Sequence, residues 1–170
     1  TTLTNGGSAK ITGYEFAYNQ QLLFLPAWAR GFQVFFNATH LRLQGGDLAD
    51  FSAFAPNNYA GGLNFVRPRF YVKLTFTYQG ETRQTAVAAS TANGIPAGVF
   101  NYQGKRLRVG LNAQYSLTKR VALFGSMTDI NGPGLNIVNR QYAPDTPEFE
   151  KKRRRQELGA LITIGLKGQL

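Results

Sequence analysis

The chain has 170 residues, enough for one domain with a sizeable core, and 43% of them are apolar, which argues against disorder over most of its length. Cys is absent, excluding a disulfide scaffold or a thiolate metal site, and no run of 18 apolar residues offers a transmembrane helix. The net charge of +10 raises the possibility of a nucleic-acid partner, so the placement of the cations has to decide. The 13 Phe, 8 Tyr and 19 Gly suit strands and turns better than helices. The chain opens Thr-Thr-Leu-Thr, without Met or a signal peptide, which reads as a processed chain or a piece of a longer one.

Taken in chain order, the sequence is a series of two-faced runs, since a strand sends alternate side chains to opposite faces. In TGYEFAYNQQLLF, Tyr14, Phe16, Tyr18, Leu22 and Phe24 share one face, interrupted only by Gln20. In GFQVFFNATHLRL, Phe32, Val34, Phe36 and Ala38 share a face, Phe35 falls on the wrong one, and the phase is lost near His40 and Leu41, as at a bulge. NNYAGGLNF puts Tyr59, Gly61, Leu63 and Phe65 together. FYVKLTFTYQ alternates without a fault: Phe70, Val72, Leu74, Phe76 and Tyr78 oppose Tyr71, Lys73, Thr75, Thr77 and Gln79. In GKRLRVGLNAQYSL, Leu107, Val109, Leu111, Ala113, Tyr115 and Leu117 oppose Arg106, Arg108, Asn112 and Gln114. RVALFGSMTDI is strand-like in composition but alternates poorly, and QELGALITIGLKGQL closes the chain with Leu158, Ala160, Ile162, Ile164, Leu166 and Leu170 on one face. These runs predict seven strands.

The predicted connections alternate strictly between short and long. About seven residues (LPAWARG), then Arg67-Pro68-Arg69, then Thr118-Lys119 form the short ones. The long ones cover roughly residues 44–57, 85–101 and 131–155. Short turns at one end and long loops at the other describe an all-β, antiparallel, up-and-down transmembrane β-barrel of about seven to eight strands, which is the fold class expected for residues 1–170 as a single segment. A soluble sandwich or small soluble barrel has no reason to sort its connections so. Aromatic residues bracket the strands, with Phe24, Trp28, Phe32, Phe65, Phe70 and Tyr115 near the short turns and Tyr14, Tyr78 and Tyr102 near the long loops, as rings placed at two membrane interfaces would be.

With the apolar rows toward lipid, the polar rows line a lumen, and the lumen-facing candidates are Glu15, Lys73, Arg106, Arg108, Glu157 and Lys167. The run EFEKKRRR places Lys151, Lys152, Arg153, Arg154 and Arg155 at the long-loop end, where anionic headgroups of membrane lipid and lipopolysaccharide are the expected contact. Nucleic acid is not expected as a partner, because the remaining cations are scattered over both ends and the polar rows. The single His40 has no Asp or Cys at ligand spacing, and no nucleophile–base pair or phosphate-binding glycine loop is visible, so neither catalysis, nor a metal, nor a cofactor is expected.

The stretch GYEFAYNQQLLFLPAWARGFQVFFNATHL is similar to the GxE…LxFLPxxxxGxxxxxNxTxL stretch in the C-terminal barrel of TonB-dependent outer-membrane receptors. FAPNNYAGGLNF, LNAQYSLTKRVALFGSMTDING and ELGALITIGLKGQL resemble that family's last strands in order, so the likeness runs from about Ile11 to Leu170. The usual terminal aromatic is Leu170 here, on the same parity. The resemblance implies a Gram-negative outer-membrane location and a barrel of about 22 strands around a plug domain. It also implies energised uptake of a large scarce solute of the siderophore, cobalamin or glycan class. Neither plug nor energy-coupling box is present, so seven strands would be about a third of such a barrel. The expected partners are then the missing plug and remaining strands, or other copies of the chain. An eighth strand from residues 1–10 is a third way to close the sheet. Two further functional readings stand beside this one: a small non-transporting barrel of structural or adhesion type, and a soluble all-β binding protein.

Overall fold

The computed structural model describes residues 9–45, 54–132, 136–141, 147–157 and 159–168. Their elements in chain order are β1 (Ala9–Gln21), β2 (Phe32–Gly45), β3 (Asn57–Val66), β4 (Phe70–Gln79), β5 (Thr82–Ala86), a 3-10 turn (Thr91–Asn93), β6 (Phe100–Gln103), β7 (Arg106–Ser116), β8 (Val121–Thr128), β9 (Asn136–Gln141), the single-turn helix α1 (Glu148–Lys151), β10 (Lys152–Gln156) and β11 (Leu161–Gly168). The seven expected strands form one antiparallel sheet in the order β1-β2-β3-β4-β7-β8-β11, and the sheet is open, with β1 and β11 as its edges.

Register carries the two-faced pattern across the whole sheet. One row runs Val34, Leu63, Leu74, Leu111, Met127, Ile162, and the next on the same face runs Phe32, Phe65, Val72, Ala113, Gly125, Ile164. A row of the opposite face runs Gln21, Gln33, Asn64, Lys73, Asn112, Ser126, Thr163. A one-residue slip at any seam would exchange the faces, so the side-chain pattern and the pairing specify each other.

That polar row also measures the slant of the strands. Its members lie 0, 1, 2, 3, 4, 5 and 5 residues from the short-turn ends of β1, β2, β3, β4, β7, β8 and β11. One residue of stagger per strand is a rise of ~3.3 Å against ~4.8 Å between strands, an inclination of about 35°. Strands of transmembrane barrels tilt by about the same angle.

Nothing among the described residues packs over the apolar face. Among the described residues the buried hydrophobics are only Ala29, Val99 and Ala122, whereas Phe16 is 53%, Leu74 42%, Ile164 74% and Leu166 67% exposed. Rings bracket this face at two levels. At the long-loop end Tyr14 stacks on His40 (5.2 Å) and Tyr59 on Tyr78 (5.6 Å). At the short-turn end Phe65 meets Phe32 (4.5 Å) and Phe70 (6.3 Å), and Phe70 lies opposite Tyr115. Along β4 the two levels are Tyr78 and Phe70, eight residues apart. At ~3.3 Å per residue and this inclination they are separated by about 21 Å across the sheet, close to the height of a lipid-facing band.

Several expectations are corrected. The register of β1 with β2 runs unbroken from Ala9↔Gly45 to Gln21↔Gln33, so there is no bulge at His40 and Leu41. His40 keeps its place in the apolar row because its Nδ1 lies 2.6 Å from Asn57 Oδ1, which also accepts from the Tyr59 hydroxyl (3.4 Å). Phe35, the misfit, lies flat across Gly62, where an added Cβ would come within 2.8 Å of the ring. The connections near 85–101 and 131–155 hold strands as well: β5, β6, β9 and β10 form a second sheet in the order β10-β9-β6-β5. Each follows or precedes β4, β7, β8 or β11 and keeps that neighbour order, so the hairpins continue past the main sheet, and Tyr102 belongs to this extension. Glu157 does not sit on the last strand. β11 begins only at Leu161, and the Glu157 carboxylate pairs with Arg155 in the connection before it. An eighth strand from residues 1–10 falls mostly outside the described residues; β1 itself begins at Ala9.

Candidate functional site

The polar face of the main sheet gathers most of the singled-out charges. Glu15 (opposite Thr39), Lys73 (opposite Asn112), Arg106 (opposite Gln79), Arg108 (opposite Thr77) and Lys167 (opposite Ala122) all lie on it. Glu157 is displaced as described. The basic run is divided: Lys151 ends α1, and Lys152–Gln156 is β10, paired with β9 through an irregular register between Lys152 and Arg154. Arg154 donates to Gln156 Oε1 (3.1 Å) and Arg155 pairs with Glu157, while the side chains of Lys152 and Arg153 lie outside the described residues.

Toward the short-turn ends of β1, β2 and β3, amides on this face form a ladder across the three strands. Gln33 Nε2 donates to Asn19 Oδ1 (2.8 Å), and Asn64 Nδ2 donates to Gln33 Oε1 (3.3 Å). The Lys73 ammonium stands 5.1 Å over the Phe35 ring. Asn19, Phe35, Asn64 and Lys73, with Ala17, Tyr18 and Asn37, line a concavity of about 480 Å³, and Asn64 Oδ1 is buried there without a partner among the described residues. An aromatic plane, one ammonium and several amides can hold a polar surface by hydrogen bonds but offer no nucleophile with a base. Among the described residues no three His, Cys, Asp or Glu side chains come together as a metal site.

Where the main sheet passes into the extension, β8 leaves β7 after the pair Gly110↔Thr128. Asp129 takes a left-handed backbone (φ 58°), which a short polar residue tolerates. Its carboxylate then accepts two bonds from Arg108, at Nε (2.8 Å) and Nη2 (3.1 Å), with Arg106 Nη2 at 4.0 Å. The hydrogen bond from Arg108 outweighs burial and holds the Asp129 carboxyl below the usual range. Two residues on, Asn131 replaces the departed strand: its Oδ1 accepts from Val109 N (3.0 Å) and its Nδ2 donates to Leu107 O (3.1 Å). Asn131→Ala should therefore cost about 1 kcal/mol locally and speed exchange of the Val109 amide roughly fivefold, measured by hydrogen exchange.

Read from sequence, Asp129 stays inside the run RVALFGSMTDI without being paired with the arginines, and Asn131 sits just beyond that run. The available signal was an acid at a strand's end beside two arginines spaced by two on the preceding strand. No family model, curated protein or solved structure matches the chain.

Proposed function

We propose that the chain is an outer-membrane β-barrel segment of a TonB-dependent receptor, contributing to the uptake of a large scarce solute of the siderophore, cobalamin or glycan class. The observation that carries the membrane part is the single-layer sheet whose apolar face is half-buried to exposed on every strand, while only Ala29, Val99 and Ala122 are buried apolar residues among those described. A face of that extent in water would be an aggregating surface, and lipid removes the conflict. The stagger of one residue per strand and the two aromatic levels support the same reading. The polar face then lines the lumen, and the extended hairpins stand above the membrane, where Arg154 and its neighbours suit the phosphates of lipopolysaccharide. The receptor assignment rests on the resemblance of the strand sequences.

β1 and β11 run in the same direction, because they are the first and last of seven antiparallel strands. Lipid cannot satisfy either edge, so closure with antiparallel seams takes an odd number of further strands, as the rest of a receptor would supply. Other copies of the chain would close it through parallel seams. The test is solubility and electrophoretic migration: the chain should fold only with detergent or bilayer and migrate faster unheated than boiled. A chain that stays dispersed and folded in buffer alone would instead be a soluble all-β binding protein.

A further inference from the structure

The connection between β1 and β2 is ten residues long, Leu22 to Gly31, and it is tightly knit. Leu22 N donates to Phe32 O (2.9 Å), Leu25 N to Leu22 O (3.3 Å), Ala29 N to Pro26 O (2.8 Å) and Phe32 N to Ala29 O (3.1 Å). Arg67, from the neighbouring β3–β4 turn, clamps it by donating through Nη2 to Ala27 O (2.8 Å) and to Trp28 O. Val66 N bonds Gly31 O (2.9 Å), and the strands approach so closely that a Cβ on Gly31 would sit 2.3 Å from Val66 O. Yet this rigid segment turns its largest side chains outward: Leu23 is 63%, Phe24 76% and Trp28 73% exposed. Ala29 is the residue it buries.

Charge at this end is one-sided. The short-turn end carries Arg30, Arg67, Arg69, Lys119 and Arg120 in its turns. All nine carboxylates of the chain lie elsewhere in the sequence: Glu15 midway along β1, the rest in the long connections. Arg67 and Arg30 are engaged with backbone oxygens of the connection, whereas Arg69 is exposed in the adjoining turn.

From this pairing of rigidly held apolar side chains with unopposed cations, we infer that residues 22–31 form a foot that inserts into the headgroup boundary of the short-turn leaflet and selects anionic phospholipid. Leu23, Phe24 and Trp28 enter the acyl boundary, and the surrounding cations meet phosphate and the net negative headgroup charge. A rigid foot loses little conformational entropy on insertion, because the backbone bonds already hold it. The inference rests on the lipid reading of the sheet and adds to it a leaflet and a lipid class.

Trp28 is the only tryptophan, so its fluorescence reports the foot directly. The 170-residue chain is reconstituted into vesicles of phosphatidylcholine and phosphatidylglycerol in which one or the other lipid carries brominated acyl chains. The expected result is a blue-shifted Trp28 emission, quenched more strongly when phosphatidylglycerol is brominated. Arg69→Gln should lower that preference about fivefold. Heat-modifiable migration checks that the variant folds, and Lys119→Gln on another turn provides a second cation that can be removed. Water-like, unquenched Trp28 in an inserted chain overturns the foot and leaves the membrane reading standing. Equal quenching by both brominated lipids overturns the anionic selectivity. A chain that does not insert at all overturns both readings.

Discussion

Replacing Leu74 by Arg should destabilise the bilayer-folded protein by about 2–4 kcal/mol, whereas Thr75→Arg, one residue along, should cost no more than about 1 kcal/mol. Leu74 lies between Leu63 and Leu111 in the middle of the apolar face. A guanidinium there would face hydrocarbon with no partner within its row. Thr75 lies between Gly62, which the Phe35 ring covers, and Gly110 on the other face, where a guanidinium can reach water and the hydroxyl gives up one bond to Gly110 O (3.3 Å). The comparison is made by urea titration in vesicles, reading the folded fraction from migration. Similar costs for the two variants would place both faces in one solvent.

Asp129→Asn should cost about 1–2 kcal/mol and loosen the junction between the main sheet and its extension. The carboxylate side chain is only 8% exposed and neutralises part of two guanidiniums, so its loss leaves Arg108 and Arg106 repelling each other. The figure stays modest because Arg108 is half exposed and water compensates it. The same contact predicts a pH dependence. The carboxyl is depressed in the folded chain by its bond from Arg108, so its contribution is fully present above the unfolded carboxyl range. It is lost as pH falls through the depressed folded value. Urea midpoints should therefore drop on acidification in the wild type, and Asp129→Asn should remove that part of the drop.

Alternation made the main sheet legible. Five of its strands read cleanly on a period of two, with single exceptions such as Gln20, and the sorted connections pointed to their antiparallel order. The poor alternation of residues 120–130 came from Phe124, which faces the polar side and covers Gly165, leaving Val121, Leu123 and Met127 in phase. Phe35 over Gly62 is the same device. In both cases an aromatic fills the space that a glycine on the next strand leaves open, a pairing that one strand's sequence cannot show. The extension strands left no such trace. TRQTA is largely polar on both parities, FNYQ alternates but is only four residues long, and KRRRQ is a charge run, so none of these three has an apolar face long enough to announce it. Glu157 was misassigned for the opposite reason: the apolar parity of the last run continues back through Leu158 and Ala160, although pairing with β8 starts only at Leu161. On the polar face the charges could be placed by parity. The amide ladder and the Asp129 clamp depend on which strands are neighbours and on where β8 departs, so they emerge only from the register.

The absence of Cys allows single cysteines to be introduced one at a time from Phe70 to Gln79 and spin-labelled in the bilayer-reconstituted chain. If the apolar face meets lipid, labels at positions 70, 72, 74, 76 and 78 should collide with oxygen dissolved in the bilayer. Labels at 71, 73, 75, 77 and 79 should collide with a water-soluble nickel complex, and the two profiles should run out of phase with period two. Equal access of the nickel complex to both sets, or apolar positions shielded from both reagents, would contradict a lipid-facing sheet.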